Sequence, residues 1–443
     1  MQRKKTMSLL ALIFYSIVTF FYIYQVSFSF LGVPAALHSR RIAAVILIFC
    51  GIVANTKSYK TKLPNGLYKK NLQKYIYLCV FITVFSFIQL RTIGKIEGVH
   101  LFDAMLNIAL FGLPVFWAFT KVYSSLDDLM HVLIIITAIQ TVIIVLCLSS
   151  DSFATLMDIT FNYSEKDEGN GFLRSSYAGG IGCIAAPGAI LYSLGLFASS
   201  YLYVSKRKGF YLLLFSIYAI VSTMIARTGL LFDIICVLYI LKEGRSFKKA
   251  LAFIIPGMVL LILVFGFISS NSKAGFLDDR YKRYLSLKEE GLREGFLESY
   301  FRDDETYYPS LSVETLFGTG MLYGKSGRGD IVHVDGGPLR IYSAIGIVLA
   351  IIVYLIIINI LLNTSRLIYK EKKQHYLLAF SFILLVADFK EPTFFTVWPL
   401  PVFFTMAYLS LYGNNEYRSS ILRNYKVVNQ FKSYGGKGYC SGF

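Results

Sequence analysis

The chain has 443 residues, 55% hydrophobic and 16% charged, with a mean hydropathy of +0.57. This excludes an ordinary water-soluble domain, a disordered chain and a collagen-like fibre. The formal net charge of +17 lies in short Lys and Arg clusters between apolar runs, as the positive-inside rule requires of a membrane chain, and not in one phosphate-binding face as in a nucleic-acid protein.

Arg3, Lys4 and Lys5 precede an apolar run over residues 7–28. The run is longer than a signal-peptide core and lacks a cleavage site, so an uncleaved first span is expected. A bilayer core takes roughly 20 apolar residues per helix. On that measure further spans are predicted near 35–54, 75–93, 102–119, 129–150, 177–199, 209–226, 228–241, 250–269, 338–362, 375–393 and 394–412. The expected fold is an all-α polytopic membrane protein of about twelve transmembrane helices. Helices 1–9 occupy residues 1–270, a large extracytoplasmic loop 271–337, helices 10–12 residues 338–412, and a basic cytoplasmic tail 413–443.

With the N-terminus inside, the even loops and both ends are cytoplasmic, and the cations fall there. Lys57, Lys60, Lys62, Lys69, Lys70 and Lys74 form the first cluster, and Lys206, Arg207 and Lys208 the second. Lys242, Arg245, Lys248 and Lys249 follow, then Arg366, Lys370, Lys372 and Lys373. The tail adds Arg418, Arg423, Lys426, Lys432 and Lys437. Cys50, Cys79, Cys147, Cys183 and Cys236 lie in apolar runs and Cys440 in the tail, so no disulfide staples an external loop.

Two external loops are long enough to imply function, at 151–176 and 271–337. In the second, Leu277, Tyr281, Tyr284, Leu285, Leu292, Phe296 and Tyr300 recur at spacings that share one helical face. Charged residues alternate with them, which predicts short amphipathic helices across the mouth of the bundle.

A charge in or beside a span is unfavourable by roughly 2.5–3.5 kcal/mol on insertion scales, so each is a functional candidate. Arg227, in Ile225-Ala226-Arg227-Thr228-Gly229, stands where the chain turns back at the external face. Its guanidinium suits phosphate oxygens, or alternatively anchors the turn against an acid such as Asp233. Arg174 precedes a small-residue span containing Gly179, Gly180, Gly182 and Gly188. Downstream, Phe317-Gly318-Thr319-Gly320 lacks the remaining glycines of a nucleotide loop. His333 and Asp335, ahead of Gly336-Gly337-Pro338-Leu339-Arg340, are each able to take a proton from a hydroxyl nucleophile. The other histidines, His38, His100, His131 and His375, are scattered, and no metal-ligand spacing occurs, so no metal is expected. In Asp388-Phe389-Lys390-Glu391-Pro392, Lys390 and a neighbouring acid are expected to neutralise each other at an external turn.

This layout resembles the Wzy-type polysaccharide polymerases, which are related to the O-antigen ligases. The local matches are Arg227 in Ala-Arg-Thr-Gly-Leu-Leu, Arg174 before a small-residue span, and Phe317-Gly-Thr-Gly followed by Asp335-Gly-Gly-Pro-Leu-Arg and Gly346. The resemblance implies a membrane-embedded, metal-independent glycosyltransferase of the bacterial inner membrane that requires no cofactor and no nucleotide sugar. Its donor would be a glycan on undecaprenyl diphosphate, attacked by a hydroxyl of a fresh lipid-linked repeat unit. Arg227, with Arg174 and Arg340, would hold the diphosphate, and either Asp335 or His333 would be the base. In the related ligases the key His is followed directly by Asn, whereas Val334 follows His333. A flippase and a chain-length regulator are the implied partners. The rival readings are a ligase and a lipid-linked oligosaccharide flippase.

Overall fold

The structure is a computed structural model. It describes residues 7–26, 38–56, 66–92, 97–150, 152–153, 156–157, 185–226, 228–244, 316–325, 331–332 and 336–413. The candidate span 250–269, the amphipathic stretch at 276–301 and the basic tail lie outside the described residues.

Apolar runs become helices in the described part, because a helix satisfies every interior backbone group from within. They are α1 Leu9–Ile23, α2 Ser39–Thr56, α3 Leu67–Thr92, α4 Leu101–Asn107, α5 Leu113–Val122, α6 Leu126–Ser149 and α7 Ala185–Lys206. There follow α8 Gly209–Ile225, α9 Thr228–Glu243, α10 Gly337–Ile345, α11 Ile347–Lys372, α12 Tyr376–Lys390 and α13 Pro399–Tyr412. Five described helical stretches are long and apolar enough to cross a membrane: Leu67–Leu90, Leu101–Val122, Leu126–Cys147, Pro187–Lys206 and Ile347–Lys372.

The bundle is apolar outside as well as inside. Phe49, Tyr77, Val84, Val142, Phe210, Leu238, Ile351 and Leu355 are exposed, as lipid-facing side chains are. Helix α7 is almost wholly buried among α6, α8, α9 and α12. Gly195 permits this, since a Cβ there would stand 2.3 Å from Thr137 Oγ1.

The sequence expectations are corrected at four places. The segment predicted as one span at 338–362 is two helices, α10 and α11, broken at Gly346, whose φ is +82°. The span predicted at 177–199 is helical over Ala185–Lys206 in the described residues, because the chain stays apolar through Tyr201 and Val204 until Lys206. The last predicted span, 394–412, opens as a 3-10 turn over Thr393–Phe395, and its α-helix starts only at Pro399, where proline's missing N–H is harmless. The fold is also not purely helical. Strands β1 Glu97–His100, β2 Met321–Lys325 and β3 Ile331–Val332 form a small antiparallel sheet in the order β1-β2-β3.

Contacts sort the connections into two ends. The sheet end gathers the α3–α4 connection, the strands, α10 and the α12–α13 turn. The opposite, basic end gathers Asp127, Lys206, Arg207, Glu243 and His375.

Candidate functional site

Helix α10 is the centre of the sheet end. Gly336 caps it, a proline stands in its first turn, and Gly337, Arg340, Ile341, Ala344 and Ile345 form its buried face. The last carbonyls of a buried helix need donors from elsewhere. Here the amide of Thr319 donates to Ser343 O at 2.7 Å and that of Gly320 to Ala344 O at 2.9 Å. Gln89 of α3 donates to Phe317 O at 2.8 Å and to Ala344 O at 3.0 Å. The Phe317-Gly-Thr-Gly loop is therefore a clip that ends α10, with the Thr319 and Gly320 amides engaged by carbonyls.

Two glycines make the clip possible. A Cβ on Gly318, at φ +77°, would fall 2.3 Å from Ala344 O, and one on Gly346 would fall 1.9 Å from Leu316 O. Only glycine fits the left-handed backbone and the contact together. At the other end of α10, a Cβ on Gly337 would meet Asp388 O at 1.9 Å. The clip continues into the sheet, where Leu101 N donates to Gly320 O at 2.8 Å and β1 pairs with β2.

Arg340 points from α10 to the α12–α13 turn, where its Nη1 donates to Glu391 Oε2 at 2.8 Å. Both side chains are largely buried, at 10% and 19% exposure. The acid of the Asp388–Pro392 turn thus reaches across to α10. Asp388 is fully enclosed, accepting from Tyr354 Oη at 2.7 Å and from the Phe394 amide at 2.8 Å. It fastens the turn that presents Glu391.

Of the sequence-derived candidates, Arg340 is described. Arg227, Arg174, His333 and Asp335 lie outside the described residues. Val332 in β3 and Gly336 at the start of α10, which flank the last two, both belong to the sheet end. Beside Arg227, Gly229 packs against the Ser222 carbonyl and its amide donates to Ala226 O at 2.9 Å. Asp233, the acid against which Arg227 would anchor the turn, accepts from Thr223 Oγ1 at 2.7 Å through one oxygen. Its other oxygen has no hydrogen-bond partner among the described residues.

One cationic group escaped the sequence reading. Arg40 and Arg41 open α2 at the same end of the bundle. Arg40 donates to Tyr22 O at 3.0 Å and Ile23 O at 3.1 Å, capping α1. Arg41 donates to Asn107 Oδ1 at 3.3 Å and lies 5.7 Å over the Phe111 ring, in the π-helical turn Ile108–Gly112 that joins α4 to α5. Two adjacent arginines inside the predicted span 35–54 were the available signal.

Among the described residues, no three His, Cys, Asp or Glu side chains converge as a metal ion would require. No family model, curated protein or solved structure matches the chain.

Proposed function

We propose that the protein polymerises undecaprenyl-diphosphate-linked oligosaccharide repeat units at the outer face of a bacterial inner membrane, with both termini cytoplasmic and the sheet end outside. A hydroxyl of the incoming repeat unit attacks the anomeric carbon of the donor glycan. The new glycosidic bond forms as the bond from that carbon to the diphosphate oxygen breaks. The lipid diphosphate leaves with the electron pair, and the proton passes to Asp335 or His333. Arg227, assisted by Arg174 and Arg340, stabilises the charge that grows on the leaving group. A flippase supplies the substrate and a chain-length regulator limits the product.

The observation that most supports this reading is convergence. Two motifs of the family resemblance, Pro338-Leu-Arg340 and Gly346, lie in and directly after one short helix, and a third, Phe317-Gly-Thr-Gly, folds back onto the end of that helix where the large loop joins the bundle. Arg340 is held there by its ion pair with Glu391.

Deleting the gene and sizing the surface glycan tests the proposal. Single repeat units still attached to the surface acceptor are expected, with full-length polymer restored by wild type and not by Arg227→Ala or Asp335→Ala, at unchanged membrane levels. Complete loss of surface glycan would move the assignment to a ligase or a flippase. Lipid-linked polymer accumulating outside would identify the ligase.

A further inference from the structure

We propose that the cavity at the basic end binds a small phosphate-bearing anion. This site is at the opposite end of the bundle from α10 and does not depend on the glycosyl-transfer reading.

The cavity has a volume of about 270 Å³ and is walled by helix ends: the start of α6, the end of α7, the α11–α12 connection and the end of α13. Lys372, the last residue of α11, is exposed and has no ion-pair partner among the described residues. Gln374 adds an amide from the same connection. Across the cavity, Lys206 lies against Asp127, so that pair contributes donors with little net charge. Lys372 therefore leaves the wall with about one uncompensated positive charge.

The floor is built and polar. Tyr201 is 8% exposed and lines the cavity, and its hydroxyl has no hydrogen-bond partner among the described residues. Beside it, the hydroxyls of Tyr376 and Ser410 bond each other. Ser410 Oγ donates to Met406 O at 2.7 Å, so the Tyr376 proton goes to Ser410 and this pair only shapes the floor. Ammonium groups act on phosphate as point charges, and the Tyr201 hydroxyl and the Gln374 amide, reaching the cavity with them from different sides, suit a tetrahedral oxyanion better than a planar carboxylate. The Asp127 carboxylate opposes a multiply charged ligand, which favours one of low charge. The walls are helix ends, and α7 and α13 are among the most buried helices, so the ligand enters along the bundle axis from the aqueous side.

The test uses the full chain in nanodiscs of neutral phosphatidylcholine, with inorganic phosphate as the probe and chloride at matched ionic strength as the control. A saturable rise in Tm with phosphate is expected. Lys372→Gln, an exposed substitution that leaves the fold intact, should weaken the apparent affinity about tenfold or more. Tyr201→Phe should weaken it by a smaller factor. If phosphate has no effect but phosphatidylglycerol stabilises wild type over Lys372→Gln, the site is retained with a lipid headgroup as its occupant. An equal shift in chloride, or wild-type affinity in both variants, would overturn the proposal.

Discussion

The two ends of the bundle are joined by a different balance of chemistry, although the Arg340–Glu391 pair adds one ionic contact to the sheet end and Gly413 one close glycine to the basic end. At the sheet end the connections are fixed by backbone hydrogen bonds and by glycines at which no Cβ fits: Thr319 and Gly320 on the carbonyls of α10, Gly346 under Leu316, Gly337 against Asp388. At the basic end they are joined by half-exposed side chains: Lys206 to Asp127, His375 Nδ1 to Glu243 at 2.6 Å, and Arg207 to the carbonyls of Glu243 and Gly244. Backbone clips admit one geometry, whereas ionic contacts between long side chains tolerate adjustment and are screened by salt. A site that must aim a charged group needs the first kind of construction. The sheet end has it.

Substitutions should therefore differ in effect between the ends. The largest loss is expected from Gly346→Ala, which combines a left-handed backbone with a backbone clash and should destabilise by about 3 kcal/mol or more, read as a fall in Tm and in membrane level. A wild-type Tm would show that the clip is dispensable.

Glu391→Gln comes next. It leaves Arg340 largely buried without its acid, which should cost about 2 kcal/mol, less than for a fully enclosed pair because both groups retain some exposure. Adding Arg340→Met to it should restore most of the Tm and none of the polymer, since the first effect is desolvation and the second is loss of a cation at the site. Recovery of both would reduce Arg340 to a packing role.

Acid should act on the sheet end through His100. Its Nδ1 accepts the Phe102 amide at 3.0 Å, and burial lowers its pKa, with Asp103 opposing. The unfolded chain, at about 6.5, therefore takes up the proton first as pH falls. The contribution of His100 is complete above that pH and declines below it. Relative to wild type, His100→Gln should flatten the Tm against pH below about 6.5.

Lys206→Gln should matter least, by less than about 1 kcal/mol and less still in high salt, because an ion pair this exposed is worth little. A loss as large as that of Gly346→Ala would erase the distinction between the ends.

Much of the helical layout was readable because a run of about twenty apolar residues has few alternatives in lipid. The predicted segments 35–54 and 129–150 fall on α2 and α6 within a few residues. The break at Gly346 was not readable, since Ile341, Ile345, Ile347 and Val348 continue the apolar pattern through it and the reason for glycine is Leu316, thirty positions earlier in the chain. The sheet was hidden for a similar reason: β1 finds β2 across more than two hundred residues, and strands of four, five and two residues carry almost no periodic signal. Of the candidate site, sequence singled out Arg340 but not Glu391 as its partner, because the pair depends on how α10 meets the α12–α13 turn. Arg40 and Arg41 were absorbed into an apolar run, although their charge inside a predicted span was the cue.

The most direct test of the central claim is chain growth by the purified protein in liposomes supplied only with a defined undecaprenyl-diphosphate-linked repeat unit. A ladder of lengthened lipid-linked glycans, formed without nucleotide sugar and lost in Arg227→Ala, is the predicted result. Repeat units that stay single, or a ladder that needs an added nucleotide sugar, would contradict it.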